Sequence, residues 1–249
     1  MLSYAIMRGY RAPPNPATWR GQLEVLLPQK AKVAPVRHHA ALPYAELPSF
    51  YARLTERSAP GALALRFLIL TAARSNEVRG MRWGEVDWDA GVWTVPAARM
   101  KVGTEHRVPL SGPAVTLLRE QAVLQVAGPG RDAVGEEALG EKAINEAATS
   151  TDPAPAALVF PNASGTGPMS DGVWRALFRR MGCPEITAHG FRSTFRDSCG
   201  EETTHPRELA EHALAHEVGN AVERAYRRGD ALERRRRVVQ DWGAFVTGG

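Results

Sequence analysis

The chain has 249 residues, 44% of them hydrophobic, and a formal net charge of +4 at pH 7. This length and apolar content suffice for one large domain with a buried core, and no apolar run approaches the ~20 residues that a membrane-spanning helix needs. Because the two cysteines, Cys183 and Cys199, form neither a disulfide framework nor a CxxC pair, we expect a soluble intracellular protein with reduced thiols.

Charge is unevenly distributed along the chain. Residues 130–156 hold six acidic and two basic side chains, a local charge of −4, so the remainder of the chain carries +8. Residues 1–40 alone hold six basic side chains and one acidic side chain. A basic body of this kind suits a polyanionic partner, although many proteins without such a partner share it.

The N-terminal part of the chain has too few apolar residues in helical spacing to form a hydrophobic core of its own. Residues 1–27 contain two short amphipathic pieces separated by prolines, and we interpret them as the remnant of a core-binding domain whose earlier part is absent. Residues 28–43 are basic, punctuated by proline and without periodicity, which predicts a linker.

The main domain is predicted to cover residues 44–249 and to be mainly α-helical with a small antiparallel β-sheet, an α+β fold. A change from helical spacing to period two predicts strands at Val92–Val95 and His106–Leu110. Residues 127–156, rich in alanine, glycine and glutamate, predict a mobile surface insertion. The apolar periodicity predicts the later helices at 113–126, 171–181, 189–201, 206–216, 220–228 and 231–246.

Arg74 stands between a nearly all-apolar predicted helix and a short helix that we expect to be capped by Ser75. A guanidinium group at a helix start can bind a phosphate, and Glu77, three residues further on, can fix its plane. The alternative is an ion pair between Arg74 and Glu77 with a purely structural role.

The sequence HGFRSTFRD contains a second cluster of candidates. On a helix, His189, Arg192 and Arg196 share one stripe, while Phe191 and Phe195 belong to the buried stripe. An imidazole beside a guanidinium suits phosphoryl transfer, because one group can move a proton while the other stabilises the oxyanion. The alternative is an exposed basic helix face.

Two weaker signals lie on either side of this cluster. Lys101, in the turn MKVGTEHR, could enter a DNA groove or protonate a leaving oxygen, although a lysine in a turn is usually only solvated. His212 and His216 are four residues apart, a spacing that can bind zinc. Because Ala213 replaces the glutamate of an HExxH motif, the pattern disfavours a metal site.

Tyr226 ends the predicted helix 220–228, beside Arg224, Arg227 and Arg228. A phenol ionises near pH ~10, and neighbouring guanidinium groups favour the phenolate. The alternative is an ordinary surface tyrosine beside solvated arginines. The sequence has no GxxxxGK[ST] loop, no GxSxG elbow and no DxD metal cluster, which disfavours the reaction classes that use those motifs.

Taken in chain order, these candidates resemble the active-site series of the tyrosine recombinases, the phage-integrase family. The resemblance covers about residues 44–246, and HGFRSTFRD and ALAHEVGNAVERAYRRGD are most similar to prophage and genomic-island integrases. The stretch GYRAPPNPATWRG is similar to the end of their core-binding domain. The series consists of Arg74, Lys101, His189, Arg192, His216 and Tyr226.

The resemblance implies site-specific recombination of double-stranded DNA, which integrates or excises a mobile element without a metal or other cofactor. Tyr226 would attack a phosphodiester, forming a 3′-phosphotyrosyl link and releasing a 5′-hydroxyl. Arg74 and Arg192 would hold the non-bridging oxygens, and His216 would hydrogen-bond the phosphate. Positioning and charge are sufficient for such a transfer.

The resemblance also implies roles for the remaining candidates. His189 would help to move the proton of the nucleophile, Lys101 would protonate the leaving 5′-oxygen, and Glu77 would brace Arg74. The implied DNA contacts are Arg37, Lys101, Arg196 and Arg227. The implied partners are attachment-type DNA sites and other integrase protomers assembled on them, with a monomer when DNA is absent and a cytoplasmic, nucleoid-associated location.

Two departures from the family pattern leave alternatives open. The arm-binding domain and most of the core-binding domain are missing, so we expect a catalytic-domain fragment, and the acidic 127–156 insertion is unusually long. The alternatives are a truncated, non-recombining DNA-binding or interaction remnant and a topoisomerase-like enzyme that nicks and rejoins DNA. The last helix, 231–246, would pack on its own core or dock on a neighbouring protomer.

Overall fold

A computed structural model describes residues 1–27, 40–127, 153–216 and 229–249. The chain divides into two compact units, Met1–His38 and His39–Gly249. Several predictions fall outside the described residues: most of the acidic insertion, the helix 220–228, and the candidate site residues Arg37, Tyr226 and Arg227.

The described part of the first unit is short and exposed. It contains helix α1 (Leu2–Met7), an irregular turn at Trp19–Leu23 and a single helical turn, α2 (Glu24–Leu26). Neither helix has a buried residue, and Met7 is 84% exposed. These described residues therefore form no apolar core of their own.

The second unit is mostly helical with one small sheet, which confirms the predicted α+β class. Its helices are α3 (Leu47–Thr55), α4 (Pro60–Thr71), α5 (Ser75–Arg79), α6 (Gly112–Ala127), α7 (Val173–Arg180), α8 (Gly190–Glu202), α9 (Arg207–Ala213) and α10 (Leu232–Thr247). Short 3₁₀ turns lie at Tyr44–Glu46, Trp83–Glu85 and Ala97–Arg99.

Helix α4 lies at the centre of the core. Its sequence, PGALALRFLILT, starts with proline at the first helical position, where the missing N–H costs no hydrogen bond. Apolar residues cover nearly its whole circumference, which is the pattern of a helix packed on all sides. Phe67 contacts Trp93 of the sheet and Phe160 of the 158–160 segment, with ring centroids 5.4 and 5.6 Å apart.

The sheet has three antiparallel strands in the order β1 (Val86–Asp87), β2 (Val92–Val95) and β3 (His106–Pro109). The predicted bounds of β2 match, and β3 ends one residue earlier than predicted. Strand β1 was not predicted, because a strand of two residues is too short for an alternating pattern. In the β2–β3 register, Trp93 lies opposite Val108 and Val95 opposite His106.

Helix α9 ends earlier than predicted. The periodicity extends to His216, but the helix stops at Ala213 and the backbone turns at Ala215, whose φ is +50°. His212 and His216 therefore do not share a helix face, and no group of three or more histidine, cysteine or acidic residues in the described ranges could hold a metal ion.

Helix α10 packs on the core of its own chain, the first of the two arrangements that we considered. Val238, Trp242 and Val246 are buried, and the Trp242 indole N–H donates to the Ile69 carbonyl oxygen at 2.7 Å. Gly243 allows α10 to lie close to Ser111, because a Cβ at position 243 would collide with the Ser111 side chain. None of the described helices is both long enough and apolar enough to cross a membrane.

Candidate active site

Arg74 lies at the junction of α4 and α5. Its backbone N–H donates to Glu77 Oε2 at 2.8 Å, and its guanidinium Nη1 donates to Glu77 Oε1 at 2.9 Å. The N-cap of α5 is therefore Arg74 itself, and the prediction that Ser75 caps this helix is wrong. The Glu77 carboxylate thus holds Arg74 at both its backbone and its side chain, and the Glu77 side chain is only 3% exposed.

Arg192 lies in the first turn of α8 and is buried, with 4% exposure. Its Nη1 donates to the Ala72 carbonyl oxygen at 2.6 Å, and its Nη2 donates to the Leu214 carbonyl oxygen at 2.5 Å. Gly190 allows the start of α8 to lie close to Ala40, because a Cβ at position 190 would collide with the Ala40 carbonyl. Arg192 thus faces inward, which excludes an exposed basic face for this residue.

Leu214–His216, which we call the acceptor turn, brings three candidate residues together. The Leu214 carbonyl accepts from Arg192, and the Ala215 carbonyl accepts from Arg74 Nη2 at 3.2 Å. Arg192 Nη2 lies 3.1 Å from His216 Nε2. Arg74, Arg192 and His216, which come from three separate parts of the sequence, therefore meet at one place.

Two alanines at this site have left-handed backbone conformations. Ala72 ends α4 with a φ of +48°, and Ala215 lies in the acceptor turn with a φ of +50°. The left-handed region costs a residue with a Cβ about 1–2 kcal/mol. Both strained residues present carbonyl oxygens to a guanidinium group, Ala72 to Arg192 and Ala215 to Arg74. The strain is thus located where the two arginines are held.

The charge of the cluster is positive. Burial lowers the pKa of Arg192 to about 10, and the neighbouring charge of Arg74 acts in the same direction. Arg192 nevertheless stays protonated at neutral pH. With Arg196 and Arg207, the cluster has four guanidinium groups against the two carboxylates of Glu77 and Glu211, an excess that suits a phosphate.

Glu211 also belongs to this cluster and was not among the site residues predicted from the sequence. Its Oε2 accepts from His216 Nδ1 at 2.7 Å, and its Oε1 lies 2.8 Å from Arg196 Nε and 3.6 Å from Arg207 Nε. Burial raises the pKa of Glu211, but the His216 hydrogen bond and the nearby arginines outweigh burial and hold that pKa below its usual value. The only available signal was the acidic residue five positions before His216.

Lys101 begins the exposed turn between β2 and β3, beside a cavity of about 270 Å³. The turn before β3 lines one side of the cavity, and His212 and His216 line another. An ion pair between Arg99 and Glu85 lies just before the turn. The hairpin and the acceptor turn therefore share this cavity, and the role of Lys101 itself stays a prediction.

The structure also describes two further predicted site residues, His189 and Arg196. His189 is exposed at the N-cap of α8, three residues before Arg192. Arg196 contributes its Nε to the Glu211 ion pair while its side chain stays 44% exposed. Tyr226, Arg37 and Arg227 lie outside the described residues, so their roles stay predictions.

His106 lies in the wall of this cavity, and its pKa predicts that the free energy of unfolding depends on pH. Burial lowers its pKa from 6.5 to about 4, and the charge of Arg235 adds to this effect. Between pH 6.5 and about 4 the unfolded chain therefore binds a proton at His106 that the folded chain does not. The contribution of the neutral His106 to the free energy of unfolding is fully present above pH 6.5 and is lost as the pH falls to about 4.

The variant His106→Gln removes the titrating group. Urea denaturation at several pH values should show the wild-type advantage over this variant shrinking by about 3 kcal/mol between pH ~7 and pH ~4. The measurement near pH 7 is the internal control, since it records the packing cost of the substitution. Parallel pH profiles for the two proteins would contradict a half-buried His106 that stays neutral in the folded protein.

Comparisons with known proteins identify the family of the chain. Residues 41–233 match the phage integrase family. The chain is 30% identical over 229 residues to the integrase of Enterobacteria phage P4, covering 84% of this chain and 46% of that protein. It is 32% identical over 198 residues to the prophage integrase IntA of Escherichia coli (strain K12), covering 77% of this chain and 41% of that protein.

A third relative is the prophage integrase IntZ of Escherichia coli (strain K12), 31% identical over 212 residues, which cover 84% of this chain and 45% of that protein. The chain thus spans less than half the length of these relatives. No solved structure matches the chain. The family match covers most of the sequence and includes Arg74, Arg192, Glu211 and His216. The chain belongs to the phage integrase family, the tyrosine recombinases.

Proposed function

We propose that this chain is the catalytic domain of an integrase that cleaves and rejoins double-stranded DNA at specific sites, integrating or excising a mobile element. The observation that supports this most directly is the convergence of Arg74, Arg192 and His216 at the acceptor turn. The relatives named integrase and prophage integrase support the same assignment.

The proposed reaction is a transesterification at phosphorus. The Tyr226 oxygen attacks the phosphodiester, the bond from phosphorus to the 5′-oxygen breaks, and the DNA 3′ end becomes linked to the tyrosine. The phenol proton passes to His189, and Lys101 donates a proton to the departing 5′-oxygen. Attack by a 5′-hydroxyl on the phosphotyrosine then reverses these steps and rejoins DNA. The phosphodiester energy is conserved in the covalent link.

The arginines would stabilise the charge that grows on the non-bridging oxygens during this transfer. Positioned guanidinium groups in a site screened from water are stronger stabilisers than the same groups in bulk solvent. Arg192 is buried, and Arg74 is held on Glu77, so both groups are oriented before the phosphate arrives. His216 would donate a hydrogen bond from Nε2 to the same phosphate when both of its ring nitrogens carry a proton.

The proposed partners follow from the substrate. The basic part of the chain would contact attachment-type DNA sites, with Arg37, Lys101, Arg196 and Arg227 as proposed contacts. Further integrase protomers would join on that DNA. Since α10 covers its own core, we infer a monomer without DNA. A DNA substrate would place the protein at the nucleoid in the bacterial cytoplasm.

The variant Tyr226→Phe tests the function directly. We expect the wild-type chain to form an SDS-resistant covalent adduct with a nicked duplex, in which loss of a short 5′ fragment prevents rejoining. A library with a randomised sequence beside the nick supplies the unknown site, and sequencing of the adducts identifies it. Tyr226→Phe should abolish the adduct, because phenylalanine lacks the attacking phenol oxygen.

The control is Tyr10→Phe, a change at an 80% exposed tyrosine, which should keep the wild-type yield. Adducts that persist in Tyr226→Phe would disprove the proposed nucleophile. DNA binding by the wild-type chain without any adduct would favour the non-recombining remnant. Adducts without sequence enrichment would favour a topoisomerase-like enzyme.

A further inference from the structure

We propose that Glu211 is a positioning residue for strand cleavage, which holds His216 with Nδ1 protonated and Nε2 directed at Arg192. This inference rests on the proposed function, because His216 and Arg192 are the groups that would bind the phosphate. Glu211 would not touch the DNA itself. It would act through the orientation of the imidazole.

The backbone explains why Glu211 and His216 can meet. Residues five apart on a continuous helix do not face each other. Helix α9 ends at Ala213, and the left-handed Ala215 turns the chain back on itself. The His216 backbone N–H then donates to the Glu211 carbonyl oxygen at 2.9 Å, while Nδ1 donates to the Glu211 carboxylate at 2.7 Å. His216 is thus held by Glu211 at two points.

The carboxylate is itself well anchored. Arg196 Nε lies 2.8 Å from Oε1 and Arg207 Nε lies 3.6 Å from the same oxygen, which leaves Oε2 for His216. The Glu211 side chain is 15% exposed, whereas the His216 side chain is 43% exposed. A largely buried acceptor therefore orients a ring that is itself partly exposed to solvent.

This contact decides which ring nitrogen carries the proton. An ionised carboxylate can only accept hydrogen bonds, so Nδ1 must be protonated. In the neutral ring Nε2 then has a lone pair, which can accept from Arg192 Nη2 at 3.1 Å. The opposite tautomer would direct an N–H at the Arg192 N–H and would separate the two groups. Glu211 therefore keeps Arg192 and His216 together.

The charges of this cluster separate an orienting role from a general structural role. The variant Glu211→Leu removes a negative charge beside Arg196 and Arg207 and makes the surface more positive. Affinity for DNA should then stay equal to that of the wild type or increase. The rate of adduct formation should fall by about 10–100-fold, the same range as the loss that follows removal of a carboxylate that orients a metal-binding histidine.

The conservative variant Glu211→Gln should restore most of the function. Its amide oxygen can still accept from Nδ1–H, although the amide cannot replace the ion pairs with the arginines. We expect adduct formation within about 5-fold of wild type, well above the rate of Glu211→Leu. The control is Glu208→Leu, an exposed acidic residue one turn earlier on α9, which should change neither rate nor tautomer.

The test combines nitrogen NMR with single-turnover kinetics on the full chain. Histidine labelled with ¹⁵N reports the protonation of both ring nitrogens, and the His216 signals are those absent from His216→Gln. Above neutral pH, wild type and Glu211→Gln should show Nδ1 protonated and Nε2 unprotonated, whereas Glu211→Leu should lose this pattern. Adduct rates and DNA affinities are measured for the same set of variants.

Each outcome bears on one claim. A wild-type ring protonated at Nε2, or an unchanged tautomer in Glu211→Leu, overturns the inference whether or not the chain cleaves DNA. Equal adduct rates for wild type and Glu211→Leu also overturn it, and leave the proposed function intact. A wild-type chain that forms no adduct with any duplex instead contradicts the proposed function, and the catalytic role of Glu211 falls with it.

Discussion

The variant Arg192→Lys is expected to slow adduct formation by about 10²–10³-fold, the usual cost of removing one oriented donor from an oxyanion site. The guanidinium of Arg192 reaches Ala72, Leu214 and His216 at once, because its N–H groups lie in one rigid plane. A lysine ammonium is a single point at the end of a flexible chain and cannot keep these contacts and bind two phosphate oxygens.

Single-turnover adduct formation measures this effect, and thermal unfolding monitors the fold. The matched control is Arg180→Lys, the same substitution at an exposed position that ends α7. The control should keep the wild-type rate. Some loss of stability in Arg192→Lys is expected, on the order of 1–3 kcal/mol, because buried carbonyl oxygens lose their donor. An Arg192→Lys protein that is folded and reacts at the wild-type rate would exclude this arginine from the site.

The second large effect is expected for stability. The variant Arg235→Met should lower the free energy of unfolding by about 3–5 kcal/mol, because it breaks a buried network by removing one partner. Arg235 is 1% exposed. Its Nη1 donates to the Arg107 carbonyl oxygen at 2.7 Å, its Nε donates to the Asp230 carbonyl oxygen at 2.8 Å, and its Nη2 lies 3.0 Å from Asp230 Oδ2. These bonds join β3 to the start of α10.

The neighbouring variant Arg236→Met is the control for this prediction. Arg236 is half-buried and pairs with the exposed Glu233, and pairs with such an exposed partner contribute less than about 1 kcal/mol. Urea denaturation gives the free energy of unfolding of each variant, and the two values are compared when the dependence of that free energy on urea concentration has the same slope in both. If the two substitutions cost the same free energy, the Arg235 network does not hold β3 to α10 in the way that the structure indicates.

The Arg235 network also affects the candidate site. Arg107 donates to both carboxylate oxygens of Asp230, at 2.9 and 2.8 Å, so Asp230, two residues after 217–228, is attached to β3. Burial raises the pKa of Asp230, but the hydrogen bond from Arg107 and the charge of Arg235 outweigh burial and keep that pKa below its usual value. Asp230 and His216 line the same cavity. The described residues that flank 217–228 on either side, His216 and Asp230, thus lie at one cavity.

Local patterns predicted most of the regular structure. Helical spacing identified α6, α7, α8 and α10 within two residues of their observed ends, and the change of period identified β2 and β3. These elements have enough residues for their apolar face to be visible in sequence. Helix α9 was overextended, because the left-handed conformation of Ala215 has no sequence signal when an alanine rather than a glycine adopts it.

Buried charges were the main feature that local patterns could not predict. Arg192, Arg235 and Glu77 look like surface residues in sequence, since charged side chains are almost always exposed. Their burial depends on acceptors that lie far away along the chain, such as Ala72 for Arg192 and Arg107 for Arg235. Only the folded chain supplies those acceptors.

The sequence by itself determined the family and the order of the candidate residues from Arg74 to Tyr226, because residue type and spacing are local properties. Tertiary structure decided that Arg74, Arg192 and His216 meet at the acceptor turn and that Glu211 joins them. The physical reason is that these contacts use carbonyl oxygens of a turn whose shape depends on packing rather than on the identity of its residues. A close contact between residues 141 positions apart, such as Arg74 and Ala215, is a property of the fold.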